Sequence, residues 1–126
     1  MNNFRLLING RLVKGASTLD VINPATGRTL TAAPRADRAQ LDQAVAAAKT
    51  AFPAWSATPL WQRAALLVKL ADALEAERGA IARLLTQEQG KALPQALWEI
   101  DSAIGTFRYF ATLACPVRGI EQAALR

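Results

Sequence analysis

Histidine is absent from the 126-residue chain, and cysteine occurs once, at Cys115. Without histidine the commonest general base is missing, and with it the Ser-His and Cys-His pairs of nucleophilic catalysis. A single cysteine excludes an internal disulfide and a multi-cysteine metal centre. Aromatic side chains are scarce, and no apolar run nears the ~20 residues that a membrane span needs, so no membrane partner is expected. The opening Met1-Asn2-Asn3-Phe4-Arg5 leads straight into a strand-like pattern with no signal-peptide core, which reads as cytoplasmic. Acidic residues are outnumbered, with 15 Lys+Arg against 10 Asp+Glu and a net charge of +5. The positive residues Arg5, Arg11, Arg28, Arg35, Arg63 and Arg108 stand singly, and only Arg35 and Arg38 approach a cluster. With no recognition-helix pattern beside them, they read as a solvated surface and not as a nucleic-acid interface. The glycines are too dispersed for a phosphate loop or a dinucleotide fingerprint; Gly90-Lys91 lacks the preceding glycine and follows a helix.

What is present is largely apolar: 52% of residues are hydrophobic, with many alanines. The length suits one ordinary domain. Leu6-Leu7-Ile8 and Leu12-Val13 flank Asn9-Gly10, the dipeptide that best accepts positive φ at both centres of a tight hairpin. Thr18 to Ile22 and Thr29 to Ala33 read as a second strand pair around the turn Asn23-Pro24-Ala25-Thr26-Gly27. Residues 1–35 are therefore expected to form a small antiparallel β unit. Residues 36–115 are expected to be helical, and residues 116–126 to be a linker or the start of a strand.

In the helical part Asp37 is a candidate N-cap, with Gln40 three residues on as in a capping box. Leu41, Ala44, Val45, Ala48 and Phe52 follow at one-face spacing, and Pro53 is expected to end that helix. Thr58 is expected to cap a second helix with Pro59 at its first position, burying Ala64 or Leu67, Leu70, Ala71 and Leu74. Gly79 should break or bend the chain before a short helix carrying Ile81, Leu84 and Leu85, which Gly90 stops. Pro94 opens a fourth helix that runs to about Ala114, before Pro116. At ~100° per residue, Leu97, Ile100, Ile104, Phe107 and Ala111 share one face of it. Trp98, Tyr109 and Leu113 fall on a nearly opposite face, with Asp101 and Arg108 on a boundary between the two. Two apolar faces ask for cover on both sides. The other helices supply one cover; the second implies a further domain or chain.

The ordered set Ile8-Asn9-Gly10, Val21-Ile22-Asn23-Pro24-Ala25-Thr26-Gly27, Ala44-Val45-Ala46-Ala47-Ala48, Phe52 to Trp55, Arg63, Leu70-Ala71-Asp72, Glu88-Gln89-Gly90-Lys91 and Phe107-Arg108-Tyr109-Phe110 spans nearly the whole chain. It resembles the N-terminal pattern of the NAD(P)-dependent aldehyde dehydrogenases. The resemblance implies an α+β fold, in which two antiparallel hairpins precede about four helices and make up an incomplete part of the cofactor domain. It implies an oxidoreductase lineage that oxidises an aldehyde to a carboxylic acid with NAD or NADP. The family's nucleophilic cysteine, its glutamate and its dinucleotide unit lie in later motifs that these residues do not match. The chain therefore reads as a truncated segment with no catalytic or cofactor-binding residues of its own, inactive alone and holding no dinucleotide tightly. Its expected partners are the missing C-terminal part or aldehyde dehydrogenase subunits; a stand-alone interaction module is the alternative. Some relatives bind a monovalent cation, which implies the main-chain carbonyls of Val21 and Ile22 and the carboxylate of Glu88 as ligands, all hard oxygen donors. Cys115 matches no motif and falls at a helix C-terminal end, where the dipole opposes a thiolate, so it reads as a small buried hydrophobe.

Overall fold

The computed structural model describes residues 4–113. The fourth helix ends at Thr112 with Leu113 as its C-cap, shortly before the expected Ala114, and Cys115 and residues 116–126 lie outside the described residues. Two hairpins come first. β1 (Leu6–Ile8) pairs antiparallel with β2 (Arg11–Val13), and β3 (Ser17–Asn23) with β4 (Arg28–Arg35). Asn9 and Gly10 both take positive φ, at 51° and 72°, as a two-residue hairpin turn requires. Gly27 closes the second turn at φ 66°, its amide donating to the Asn23 carbonyl at 2.8 Å. Both strands of the second hairpin run one or two residues past the expected ends. Val21 pairs with Thr31 and Ile22 with Thr29, so Leu30 is an extra residue that makes a β-bulge.

Four helices follow: α1 (Arg38–Ala57), α2 (Leu60–Ala76), α3 (Arg78–Gln89) and α4 (Leu93–Thr112). The two hairpins and four helices agree with the expected α+β class. α1 begins as expected. The Asp37 carboxylate accepts from the Gln40 amide at 2.8 Å, and the Gln40 side chain closes the capping box.

Three boundaries differ from the sequence reading. Pro53 lies inside α1 and does not end it. The loss of one backbone donor is outweighed by the helix propensity of the surrounding alanines, among them Ala47, Ala48, Ala51 and Ala54. Thr58 is the C-cap of α1 and not the N-cap of α2; its hydroxyl donates back to the Ala54 carbonyl at 3.0 Å. Pro59 is consequently the N-cap residue of α2, whose carbonyl accepts from the Gln62 amide. Gly79 does not break the chain. The break is at Glu77, whose φ −98° and ψ 4° separate α2 from α3, while Gly79 lies within the first turn of α3. Gly90 stops α3 in the left-handed conformation at φ 73°, as expected.

The core is small and sits where α2, α3 and α4 meet, built on Ala71, Ala82, Ala96 and Ile104. Small residues at these positions let the helices approach closely. Of the expected α2 stripe, Ala71 is buried and Ala64, Leu67 and Leu74 are half-buried, whereas Leu70 is exposed on the outer side of the helix. α1 packs chiefly against β1 and buries no residue fully. Its stripe residues Leu41, Val45 and Phe52 remain exposed because no described element lies over them.

Candidate functional site

α4 carries the two faces that its sequence foretold. Ile104 is 5% exposed, with Leu97, Ile100, Phe107 and Ala111 half-buried on the same side against α2 and α3. Trp98 and Tyr109, 71% and 60% exposed, stand open on the other side with Leu113. Phe110, next to Tyr109 and edge-on to it at 5.4 Å, is also exposed, as are Trp61 on α2 and Leu93, and no motif in the sequence marks any of the three.

The boundary charges of α4 tie the bundle together. Arg78 at the start of α3 grips Asp101 with two bonds, Nε to Oδ1 at 2.5 Å and Nη2 to Oδ2 at 2.6 Å. This fork, the strong form of a carboxylate contact, lowers the Asp101 pKa and raises that of Arg78. Arg108 Nη2 donates to Glu75 at 2.6 Å and to Asp72 at 3.1 Å, and both bonds raise its pKa. Lys91 pairs with Glu99. All these groups reach solvent, so their effect is orientation more than stability.

The expected cation ligands are only partly brought together. Val21 of β3 and Glu88 of α3 line one cavity of 270 Å³, with Leu30, Thr31 and Leu84. Ile22, the next residue of the strand and so on its opposite face, is 47% exposed and does not line it. Arg5 lines the same cavity, so an entering cation meets a fixed positive charge. Among the described residues no group of three or more His, Cys, Asp or Glu side chains forms that could hold a metal ion.

The described positive-φ glycines, Gly10, Gly27 and Gly90, serve two hairpin turns and a helix stop. None lies between a strand and the start of a helix, where a pyrophosphate would be cradled. No described helix is long and apolar enough to cross a membrane.

Residues 12–125 match the aldehyde dehydrogenase family along nearly their whole length. The chain belongs to the aldehyde dehydrogenase family. It is 39% identical over 121 residues to the (Z)-2-((N-methylformamido)methylene)-5-hydroxybutyrolactone dehydrogenase of Acinetobacter baylyi, covering 94% of the chain and 25% of that protein. It is 37% identical over 110 residues to the malonate-semialdehyde dehydrogenase of Pseudomonas aeruginosa, covering 86% of the chain and 22% of the relative. Among solved structures, a double mutant of the Staphylococcus aureus betaine aldehyde dehydrogenase in complex with NAD+ superposes with a TM-score of 0.85 at 30% identity. That match covers 92% of this chain and 25% of the other. The chain thus spans about a quarter of the length of these aldehyde dehydrogenases.

Proposed function

We propose that the chain serves the NAD(P)-linked oxidation of an aldehyde to a carboxylic acid as the N-terminal scaffold of an aldehyde dehydrogenase, and that these residues do not turn over substrate alone. One observation carries the reading: α4 is buried on one side and lays Trp98, Tyr109 and Leu113 open on the other. A monomer rarely leaves so much contiguous apolar surface uncovered. Relatives about four times as long supply the natural cover, the remainder of an aldehyde dehydrogenase chain. In this reading the catalytic thiolate, the glutamate and the cofactor cradle come from that remainder, and residues 4–113 pack beneath them.

Val21 and Glu88 hold a monovalent cation in this reading, one carbonyl and one carboxylate toward its shell, the other ligands coming from outside the described residues. The protein acts in the cytoplasm, within an assembly of aldehyde dehydrogenase subunits.

Incubating the purified 126-residue chain with NAD+ or NADP+ and a panel of aliphatic and aromatic aldehydes should give only background reduction of the cofactor. Robust turnover would overturn the scaffold reading.

The same exposed face, with the bare stripe of α1, favours a second reading. Here the chain is an interaction module that docks on a full-length or complementing aldehyde dehydrogenase subunit. Co-purification with such a subunit supports it, and a stable monodisperse monomer that captures none refutes it.

A further inference from the structure

The positive charge of the molecule is segregated. Residues 4–35 carry Arg5, Arg11, Lys14, Arg28 and Arg35 against Asp20 alone, whereas residues 36–113 hold eight basic and eight acidic side chains in balance. The helical charges largely find each other, as in the Arg78–Asp101, Lys91–Glu99 and Arg108–Glu75 pairs. None of the five basic residues of the hairpins enters an ion pair among the described residues.

A large cleft of the described residues opens within this basic unit. It has a volume of 790 Å³ and runs along β4 toward α3. Its polar lining is Arg5, Lys14, Thr18, Thr29, Thr31 and Gln87, with no carboxylate. Such a lining is rich in donors: a guanidinium, an ammonium, three hydroxyls and an amide. Four consecutive β4 residues, 29–32, line the cleft, so it follows the strand's outer edge, where side chains of both faces and the backbone are reached. β4 pairs only with β3 among the described residues, so its other edge carries no strand; the bulge at Leu30 lies on the side that faces β3. Unpaired backbone N–H groups at a sheet edge make an anion-attracting concavity. Phe4, Leu30 and Leu84 add an apolar floor for an organic body. Lys14 is held at the mouth by its backbone, its carbonyl accepting from Gln40 Nε2 at 2.8 Å.

We propose that this cleft binds a phosphate-bearing small molecule, its anionic group held by Arg5, Lys14 and the threonine hydroxyls of β3 and β4 that line it beside the open edge of β4. An extended acidic peptide is the less favoured occupant, because Pro34 and the bulge leave too short an unbroken edge for strand addition. Arg5 also lines the smaller cavity with Glu88, so an anion in the cleft and a cation beside Glu88 would attract one another across it. The proposal does not depend on the scaffold reading, since its readout is binding and not turnover.

The test is an amide-resolved NMR titration of the full 126-residue chain with sodium pyrophosphate at low salt. The expected result is saturable shifts confined to Gly15, Leu30, Thr29, Thr31 and their neighbours. Affinity should fall about tenfold or more in the Arg5→Gln/Lys14→Gln double variant, as removal of charge-assisted hydrogen bonds implies. Arg83→Gln, a helical arginine outside the cleft, should bind as the parent does. Non-saturating shifts, shifts spread evenly over the basic surface, or equal weakening by Arg83→Gln would each overturn the proposal. So would a glutamate-rich peptide that saturates the cleft where pyrophosphate does not. Should the double variant lose its dispersed spectrum, the map of shifts in the parent chain decides by itself.

Discussion

Gln40 fastens the segment between the hairpins to the start of α1 through Lys14: its Nε2 donates to the Lys14 carbonyl at 2.8 Å while its Oε1 accepts from the Ala16 amide at 3.0 Å. The same Oε1 accepts from the Asp37 amide, at 3.4 Å, within the capping box. One side chain thus serves a helix start and a loop 24 and 26 residues earlier. Gln40→Ala is expected to destabilise the fold by about 1–2 kcal/mol, the cost of a lost cap with unpaired backbone groups. Gln40→Glu should keep the acceptor bonds and lose only the donation to Lys14, giving a smaller effect. Urea denaturation of the two variants checks the order; equal losses would mean that the Lys14 bond carries the whole effect.

Two glycines are held by neighbours and not by turns alone. A Cβ on Gly15 would lie 2.7 Å from both the backbone N and O of Arg35. No flexible group can yield there, since both obstacles are β4 backbone. Gly15→Ala should cost about 1–3 kcal/mol through forced backbone movement. Gly90 combines a left-handed φ of 73° with a close neighbour, Pro24 Cγ, which would stand 2.9 Å from an added Cβ. Gly90→Ala should cost about 1–2 kcal/mol from conformation alone, before the contact with Pro24 is counted. Gly10→Ala, with open space around it, carries the conformational cost without a clash. A larger loss at Gly90 than at Gly10 in thermal or urea unfolding would separate the two contributions, and the reverse order would show that Pro24 simply moves aside.

Asp101 predicts a pH dependence. The fork from Arg78 holds its carboxyl below the usual range, so the folded state binds its proton less readily than the unfolded chain. The stabilisation it brings is complete above the ordinary aspartate pKa of about 4 and is lost as the pH falls through the lowered folded value. The raised pKa of Arg78 works at the opposite end. Its contribution is present throughout the acid and neutral range and fades only in strong alkali. Carboxyl NMR should show Asp101 titrating below a free aspartate, and Arg78→Gln should return it toward the ordinary value. An unchanged midpoint in that variant would assign the shift to some other neighbour.

Much of this architecture is legible in the residues because local chemistry fixes it. Asn9-Gly10, Gly27, the Asp37–Gln40 box and Gly90 each have a backbone requirement that few other residues meet, and each acts where expected. The boundaries that differ, at Pro53, Thr58 and Gly79, share another cause. Proline and glycine set preferences of about 1–3 kcal/mol, which flanking alanines and helix packing can override. The candidate sites are less legible. Val21 and Ile22 are neighbours in β3 and point to opposite faces, so only Val21 lines the cavity with Glu88, and which face packs toward α3 is set by tertiary contacts that composition and period do not show. The basic cleft has no sequence signature because Arg5, Lys14 and Gln87 are far apart in the chain and meet only through the hairpin–α3 packing.

The two faces of α4 give the sharpest contrast in stability. Ile104 is 5% exposed in the α2–α3–α4 core, and Ile104→Ala should cost about 2–5 kcal/mol, transfer and cavity terms together. Trp98 is the larger side chain, yet it is mostly in solvent, so Trp98→Ser should change the stability of the isolated chain by no more than about 0.5 kcal/mol. Binding should reverse that order. With a complementing aldehyde dehydrogenase segment present, Trp98→Ser should weaken association by about 2 kcal/mol or more, as loss of a central aromatic anchor does. Ile104→Ala should act on association only through folding. Paired denaturation and pull-down measurements on both variants distinguish the cases. A large stability loss from Trp98→Ser in the isolated chain would mean that its outer face is already covered from within, and no missing partner would then be needed to cover α4.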